Sequence, residues 1–321
     1  MNRRTALALG ATAGATIAIG TDLAARAQDS RAAAPIPRPT ADAGVASAGR
    51  SRRTSFIVGS DGTDLFCRSW GTGKPVVFVH SWALNSEMWG YQMMPLVRAG
   101  FRCIAFDRRG HGRSGDSGGG YDFDTLADDL AAVLDTLDLR DATLVAHSMG
   151  SGEVTRYLTR HGSRRVARIA LLAPTGPFPL KTADNPDGID GASFAKVRAG
   201  WLHDFPRWVV DNTPPFFTSD TSPHIARWLG DMMSRTSLHA AIECSVAGAE
   251  TDFRPELPRI KTRTLIIHGT ADVSAVLRTT GQRMAQLIPD SEFKVYEGAP
   301  HGLFITHMDR INADLLQFVQ G

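Results

Sequence analysis

Apolar residues gather in short segments along the chain from about residue 54 onward. The first two segments, residues 55–58 and 64–68, alternate polar and apolar positions, which is typical of a hairpin at the edge of a sheet. Six later segments are continuous apolar runs, which are typical of parallel strands buried on both faces. These six are residues 75–79, 102–106, 142–146, 167–172, 264–267 and 293–296. The pattern therefore predicts eight strands.

The stretches between these strands carry apolar residues at helical spacing. The clearest is residues 123–137, where Leu126, Leu130 and Leu137 recur on one face. A second amphipathic helix is predicted at about residues 309–319, close to the C-terminus. Because strands alternate with helices, we predict an α/β fold with a mostly parallel sheet and helices on both of its faces.

One stretch interrupts this alternation, because residues 175–254 show no strand signal. The stretch is rich in aromatic residues and in turns that contain proline. Its tryptophans are Trp201, Trp208 and Trp228. We predict that residues 175–236 form an inserted helical lid, and that a helix at about residues 237–249 belongs to the main domain.

The N-terminus has the order of features found in a targeting segment. Arg3 and Arg4 precede a mildly apolar stretch at residues 6–20, and a small-x-small cleavage signal follows at residues 25–27. This order resembles a bacterial twin-arginine export signal. We predict that residues 1–27 are a signal peptide and that the mature protein is periplasmic or secreted. The alternatives are an uncleaved membrane anchor and a cytoplasmic tail.

The remainder of the chain divides into a leader and one large domain. Residues 28–53 are rich in Ala, Pro, Ser and Arg without periodicity, which predicts a disordered leader before a domain at residues 54–321. No strongly apolar run long enough to span a membrane follows the signal peptide. Cleavage would remove three of the 35 basic and one of the 33 acidic residues, leaving no net formal charge. This balance gives no electrostatic basis for nucleic-acid binding.

The three cysteines are Cys67, Cys103 and Cys244. All lie in apolar strand-like or helical segments, so we expect buried thiols that pack as small hydrophobic groups. A bridge between Cys67 and Cys103 remains an open alternative. Spaced Cys and His ligands are absent from the sequence, so no metal site is predicted.

Residues 146–150, Ala-His-Ser-Met-Gly, follow an apolar strand and precede a helix predicted to begin near Glu153. A serine in a tight strand-to-helix turn needs small neighbours, which Ala146 and Gly150 supply. Such a turn lifts the hydroxyl above the sheet edge, and the helix N-terminus favours the negative charge that develops in acyl transfer. We therefore predict that Ser148 is a nucleophile and not an ordinary turn serine.

A serine hydroxyl is a poor nucleophile unless a neighbouring base takes its proton. His301 lies in a loop flanked by glycine and proline after the last predicted strand, where such a base is expected. Asp272 follows the preceding strand and is the candidate acid that orients the imidazole. The order Ser148, Asp272, His301 is the one that a nucleophile on this kind of turn requires.

Acyl transfer also needs two backbone donors for the oxyanion. One candidate is the N–H of Met149, directly after the nucleophile, and the other is the N–H of Trp82, in the loop after residues 75–79. His80 is interpreted as a brace for that loop. Residues 107–114, Asp-Arg-Arg-Gly-His-Gly-Arg-Ser, resemble a phosphate or nucleic-acid patch, but the mature chain has no basic excess to support nucleic-acid binding, which favours a structural turn.

These segments resemble the bacterial non-haem haloperoxidase and arylesterase group of α/β-hydrolases. The matching stretches are residues 80–89, 106–114, 146–150, 152–154, 266–272 and 298–307. The resemblance implies the α/β-hydrolase fold, a triad of Ser148, Asp272 and His301, the oxyanion donors Trp82 and Met149, and no cofactor. Members hydrolyse small carboxylic esters and lactones, and many form peracids that can oxidise halide.

Two departures from the group concern the oxyanion loop. Ser81 stands where the group usually has glycine, and Ala83 stands where peracid-forming members often carry proline. The second change disfavours peracid formation. In the acid turn, Thr270 and Ala271 replace acidic residues and leave Asp272 as its only carboxylate.

The sequence is compatible with three alternative functions. The first is a serine esterase or lactonase that acts on a small molecule through an acyl-enzyme on Ser148. The second is a cofactor-free perhydrolase or haloperoxidase that uses the same triad. The third, of another class, is a ligand-binding protein on the same fold with little turnover. The aromatic lid is compatible with an apolar acyl or alcohol group or with simple packing. The sequence leaves the oligomeric state open.

Overall fold

A computed structural model describes residues 55–321, so the predicted signal peptide and the predicted leader both lie outside the described residues. Eight strands form one sheet. They are β1 Phe56–Val58, β2 Asp64–Trp70, β3 Pro75–Val79, β4 Arg102–Phe106, β5 Ala142–His147, β6 Val166–Leu172, β7 Arg263–Gly269 and β8 Glu292–Tyr296. All eight predicted strands are confirmed, and each end lies within two residues of its predicted position.

The sheet has the strand order β1-β2-β4-β3-β5-β6-β7-β8. Strand β2 pairs antiparallel with both β1 and β4, which confirms the predicted hairpin at one edge. All other neighbours run parallel. The loops that follow the parallel strands therefore meet at one edge of the sheet, where ligands of open α/β sheets bind.

Helices cover both faces of the sheet. They are α1 Gly90–Arg98, α2 Phe123–Thr136, α3 Gly150–His161, α4 Gly191–Asn212, α5 Pro223–Ser234, α6 Leu238–Glu250, α7 Gly281–Leu287, α8 Leu303–Thr306 and α9 Met308–Gln320. Successive residues of a strand point to opposite faces. Val77 accordingly packs in one core with residues of α2 and α3, whereas Val76 packs in another with residues of α1 and α9. The predicted mostly parallel sheet between two helical layers is confirmed.

Two helices have features that the sequence did not predict, an earlier start in α3 and a bend in α4. Helix α3 begins at Gly150 and not near Glu153, because tertiary packing overrides the low helix propensity of its first residues. Helix α4 contains a non-helical residue, Asp204, just before Pro206. Proline cannot donate to the helix, and its ring clashes with the carbonyl one turn earlier, so the helix bends there.

The segment predicted as a lid, residues 175–236, contains α4 and α5 and no strand of the sheet. Two isolated bridges, between Leu180 and Ile189 and between Thr182 and Asn185, precede α4. Across residues 55–321, no helix is both long enough and apolar enough to span a bilayer.

Cys67, Cys103 and Cys244 are all free and buried, so the Cys67–Cys103 bridge left open by the sequence is not formed in this structure. Burial raises the pKa of each thiol to about 12. All three thiols are therefore neutral packing groups at neutral pH, as expected.

Candidate active site

Ser148 follows β5 in a sharp turn that leads directly into α3. Its φ of 55° lies in the left-handed region, where a residue with a side chain is strained. Gly150 makes this turn feasible, because a Cβ there would lie 2.8 Å from the carbonyl oxygen of Val79. The backbone N–H of Ser148 donates to Leu172 O at 3.0 Å and ties the turn to the end of β6. The strain and the crowding are those of a nucleophile elbow.

The structure brings the three predicted triad side chains together. His301 Nε2 lies 2.9 Å from Ser148 Oγ, and His301 Nδ1 lies 2.7 Å from Asp272 Oδ2. A carboxylate can only accept, so Nδ1 carries the imidazole proton and Nε2 is left to accept from the serine hydroxyl. Ser148 is only 5% exposed and His301 only 4%. The catalytic role of the three residues stays a prediction, and this geometry is what it requires.

Asp272 is held ionised by the donors around it. Its Oδ1 accepts the N–H groups of Ser274 at 2.9 Å and Ala275 at 2.8 Å. Its Oδ2 accepts from His301 and lies 3.2 Å from His268 Nε2. Burial raises the pKa of the carboxyl, but the electrostatic attraction to His301 and these hydrogen bonds outweigh burial and hold the pKa well below its usual range. A permanent carboxylate can orient and stabilise an imidazolium.

Main-chain contacts join the acid loop to the histidine loop. Ala271 N donates to Ala299 O at 3.1 Å, and Thr270 N donates to Tyr296 O at 3.0 Å. Gly269 allows this approach, because a Cβ there would lie 1.9 Å from Ala299 O. The distance between Asp272 and His301 is therefore set by the backbone.

His147 is a site residue that the sequence did not single out. Its Nε2 lies 2.9 Å from the main-chain oxygen of His301. Burial and the neighbouring His301 lower the pKa of His147 to about 3. The ring is therefore neutral at neutral pH, and its Nε2–H donates to the His301 carbonyl. The only sequence signal was its position beside the predicted nucleophile.

The two predicted oxyanion donors are also free to act. Among residues 55–321, neither the backbone N–H of Trp82 nor that of Met149 has an acceptor in the protein. The Trp82 indole is anchored because its Nε1 donates to Ala241 O at 2.8 Å. Ala83, the next residue, has a φ of 55°, and its carbonyl accepts from Thr236 Oγ1 at 2.8 Å.

The turn after β4 has the structural role that the sequence favoured. Asp107 accepts the backbone N–H groups of Ser86 at 2.7 Å and Arg113 at 2.9 Å. Arg109 is buried and pairs with Asp129 at 2.7 Å. Because these charged groups are occupied inside the protein, residues 107–114 form no open anion patch.

Aromatic side chains connect the lid segment to the site. The rings of Trp82 and Trp201 stack with their centroids 4.7 Å apart, and Trp208 meets Trp82 edge-on at 5.7 Å. Phe216 lies edge-on to the His301 ring at 5.1 Å. The lid segment thus contacts both the oxyanion loop and the candidate base.

Comparison with known proteins places this geometry in a family. A family model described as the alpha/beta hydrolase fold matches residues 74–308. A non-haem chloroperoxidase of Kitasatospora aureofaciens is 41% identical over 268 residues, covering 81% of this chain and 97% of that protein. A bifunctional esterase/perhydrolase of Acinetobacter calcoaceticus is 36% identical over 277 residues, covering 83% and 99% respectively.

Solved structures agree with these relatives. An esterase from Exiguobacterium antarcticum superposes with a TM-score of 0.81 at 30% identity, covering 83% of this chain and 99% of that one. The family model spans more than two thirds of the chain, and the sheet and the elbow have the form that the family requires. The chain therefore belongs to the α/β-hydrolase family, in the group of non-haem haloperoxidases and esterases.

Proposed function

We propose that the protein is a serine hydrolase that cleaves carboxylic esters or lactones through an acyl-enzyme on Ser148. The observation that carries this proposal is the unbroken hydrogen-bond chain from Ser148 Oγ through His301 to Asp272, with contacts of 2.9 and 2.7 Å. Two free backbone donors, at Trp82 and Met149, lie in the loops where the oxyanion would form.

The proposed reaction has two steps. Ser148 Oγ attacks the ester carbonyl as its proton passes to His301 Nε2, and the carbonyl oxygen takes the negative charge. His301 then returns the proton to the departing alkoxide, which leaves an acyl group on Ser148. Water then attacks the acyl group as one of its protons passes to His301 Nε2. The bond between Ser148 Oγ and the acyl carbon breaks, and His301 returns the proton to Ser148 Oγ as the carboxylic acid leaves. Asp272 stays ionised throughout and stabilises the imidazolium in each step.

Replacing the nucleophile tests this proposal. Ser148→Ala should lower kcat for a p-nitrophenyl ester by about 10⁶-fold, because no other hydroxyl can form the acyl-enzyme. The matched control is Ser234→Ala, at an exposed position in the last turn of α5, which should leave kcat unchanged. Wild-type activity in Ser148→Ala would refute the mechanism.

A fluorophosphonate probe tests the third alternative, a binding protein. The probe reacts with an activated serine whatever ester the enzyme prefers. Labelling of wild-type protein at Ser148, and none of the Ser148→Ala variant, is expected. An unlabelled wild-type protein that still binds aryl esters would favour the binding function.

A second candidate function is peracid formation, which the names of several relatives support. The φ of 55° at Ala83 speaks against it as the main activity, because proline is confined to φ near −65° and cannot adopt this loop conformation. Wild-type protein in acetate with peroxide should therefore form peracid more slowly than it hydrolyses an aryl acetate. Peracid formation that exceeds hydrolysis would reverse this ranking.

A further inference from the structure

The Ser81–Trp82 peptide group, whose N–H is one candidate oxyanion donor, is fixed from its other side. The Ser81 carbonyl accepts from Arg108 Nη1 at 3.2 Å and from His80 Nδ1 at 2.8 Å. His80 Nε2 accepts the backbone N–H of Arg108 at 2.8 Å, so the ring carries its proton on Nδ1. The C=O and N–H of a trans peptide point in opposite directions. Two donors on the Ser81 carbonyl therefore aim the Trp82 N–H away from Arg108.

The Ser148–Met149 peptide group, which supplies the other candidate donor, shows the same pattern. The Ser148 carbonyl accepts from Ser151 Oγ at 2.6 Å and from Ser151 N at 3.0 Å. The Ser151 side chain is buried and makes this contact within the first turn of α3. Both oxyanion peptide groups thus have a carbonyl that accepts two hydrogen bonds and an N–H with no acceptor among the described residues.

The Arg108 side chain, which donates to the Ser81 carbonyl, is itself fixed by several hydrogen bonds. Its side chain is 1% exposed, and its Nε donates to Glu153 Oε1 at 2.7 Å. Its Nη2 donates to the His80 carbonyl at 2.8 Å, one residue before the peptide group in question. Glu153 lies on α3, the helix that begins directly after the nucleophile. One guanidinium therefore links the loop of Trp82 to the helix of Ser148.

We propose that Arg108 and Ser151 are positioning residues, which orient and polarise the two peptide groups that hold the oxyanion. The inference rests on the proposed function, because it concerns the stabilisation of that intermediate. Orientation follows from the planarity of the peptide. Polarisation follows because a hydrogen bond accepted at a carbonyl strengthens the donor N–H of the same group, by about 10–30% per bond. A guanidinium, always charged, has the larger effect.

The adjacent arginine offers a matched control. Arg109 is also buried and bonds Asp129 through Nε at 2.7 Å and Nη2 at 2.8 Å, but among the described residues its side chain makes no hydrogen bond to the loop at 80–82. The test compares Arg108→Met/Glu153→Leu with Arg109→Met/Asp129→Leu. Removing both members of each pair avoids leaving an unpaired buried charge.

The readout is specific to the oxyanion. An aryl trifluoromethyl ketone adds to the serine and forms a tetrahedral oxyanion, whereas the matching methyl ketone serves as a ground-state analogue. We expect the Arg108 pair variant to lose about 10- to 100-fold in kcat and in affinity for the trifluoromethyl ketone, because a donor is misaimed but not removed. KM and affinity for the methyl ketone should stay within about threefold, and the Arg109 pair variant should retain kcat and both affinities.

Two single variants keep the inference testable if the Arg108 pair variant does not fold. Ser151→Ala removes only a hydroxyl and should lower kcat and trifluoromethyl ketone affinity together by about 3- to 10-fold. Arg108→Lys keeps the charge but cannot serve both loop carbonyls and Glu153, so relative to wild type it should lower kcat and trifluoromethyl ketone affinity together, by less than the 10- to 100-fold expected when the guanidinium is removed. Thermal unfolding of each variant separates a loss of stability from a loss of oxyanion binding.

The outcomes distinguish this inference from the proposed function. Variants of Arg108 and Ser151 that fold and keep the wild-type ratio of trifluoromethyl to methyl ketone affinity would overturn the inference alone. Wild-type protein that hydrolyses no ester but binds the trifluoromethyl ketone tightly would overturn the proposed function alone. The inference would then stand or fall on whether the Arg108 and Ser151 variants lose affinity for the trifluoromethyl ketone. Wild-type protein that does neither would overturn both.

Discussion

The carboxyl edge of the sheet and the segment of residues 175–236 both contact the candidate site, but they are held in different ways. At the sheet edge, main-chain hydrogen bonds join the loops after β7 and β8, such as Ala271 N to Ala299 O at 3.1 Å. They also tie the turn after β5 to the end of β6, from Ser148 N to Leu172 O at 3.0 Å. The lid segment meets the site through rings, with Trp201 stacked on Trp82 and Phe216 against His301. It adds isolated hydrogen bonds at 2.8 Å, from Gly302 N to Phe216 O and from Thr236 Oγ1 to Ala83 O.

This difference separates two tasks. Reacting groups must be held to within fractions of an ångström, which backbone contacts on a packed sheet provide. Ring contacts fix a surface less rigidly and can change with the side chains that form them. We therefore infer that substitutions at the sheet edge change the rate for every ester, whereas substitutions in the lid segment change the preference among esters.

The largest effect is expected at the sheet edge. Asp272→Asn should lower kcat by about 10⁴-fold, because an amide can present its NH₂ to His301 and favour the wrong imidazole tautomer. The loss should be alike for short alkyl and aryl esters, since the acid does not touch the substrate. Steady-state kinetics on both ester classes provides the measurement.

Asp309→Asn is the matched control for this change. Asp309 is exposed in the first turn of α9, away from the triad, and its amide variant should keep wild-type kcat. A loss in Asp272→Asn that differed tenfold or more between ester classes would contradict the separation of tasks.

The sequence predicted which residues lie at the sheet edge better than it predicted the side-chain contacts that hold them in place. The continuous apolar runs located the strands, and the residues after three of them gave Ser148, Asp272 and His301. Each of these predictions depended on local pattern, because a buried strand and the loop that follows it can be recognised within about ten residues. The elbow was recognised in the same way, from the small residues around Ser148.

The supporting contacts depend on which strands become neighbours. Arg108 reaches the loop after β3 because β4 pairs with β3 in parallel, a pairing that the apolar pattern alone does not choose. His147 reaches the carbonyl of His301, which lies 154 residues further along the chain. The lid was predicted as helical from the lack of strand signal, but the stacking of Trp201 on Trp82 requires the tertiary structure.

A smaller and substrate-dependent effect is expected in the lid segment. Trp201→Ala should lower kcat/KM for aryl esters about 10- to 30-fold, because it removes a ring stacked beside the oxyanion loop. The loss for ethyl acetate, which carries no ring, should be several-fold smaller. Leu202→Ala, at the next residue and 67% exposed, is the matched control and should change neither value. Equal losses for both esters in Trp201→Ala would show that the ring acts only by holding Trp82.

The two regions also differ in their histidines, which gives a test through stability. His80, His111 and His147 lie in the loops or strand ends of the sheet edge and are fully buried, and burial is the largest cause that lowers the pKa of each. The lid histidines, His203 and His224, are exposed. An imidazole that is neutral in the folded protein but takes a proton when unfolded makes stability fall as the pH falls.

His111→Phe should reveal this contribution. Burial and the charge of Arg108 lower the pKa of His111 to about 3, against about 6.5 in the unfolded chain. Between these two pKa values, the unfolded state therefore binds one more proton than the folded state. The stability of the wild-type protein accordingly falls as the pH falls. His111→Phe takes up about one proton fewer on unfolding. The slope of its free energy of unfolding against pH should therefore be smaller than that of wild type by about 1.4 kcal/mol per pH unit between about pH 5 and 6. Urea unfolding across that range gives the slope, and His203→Phe should leave it unchanged. An equal slope in wild type and His111→Phe would mean that the buried imidazole titrates normally, and the sheet edge would then be less tightly packed than its contacts indicate.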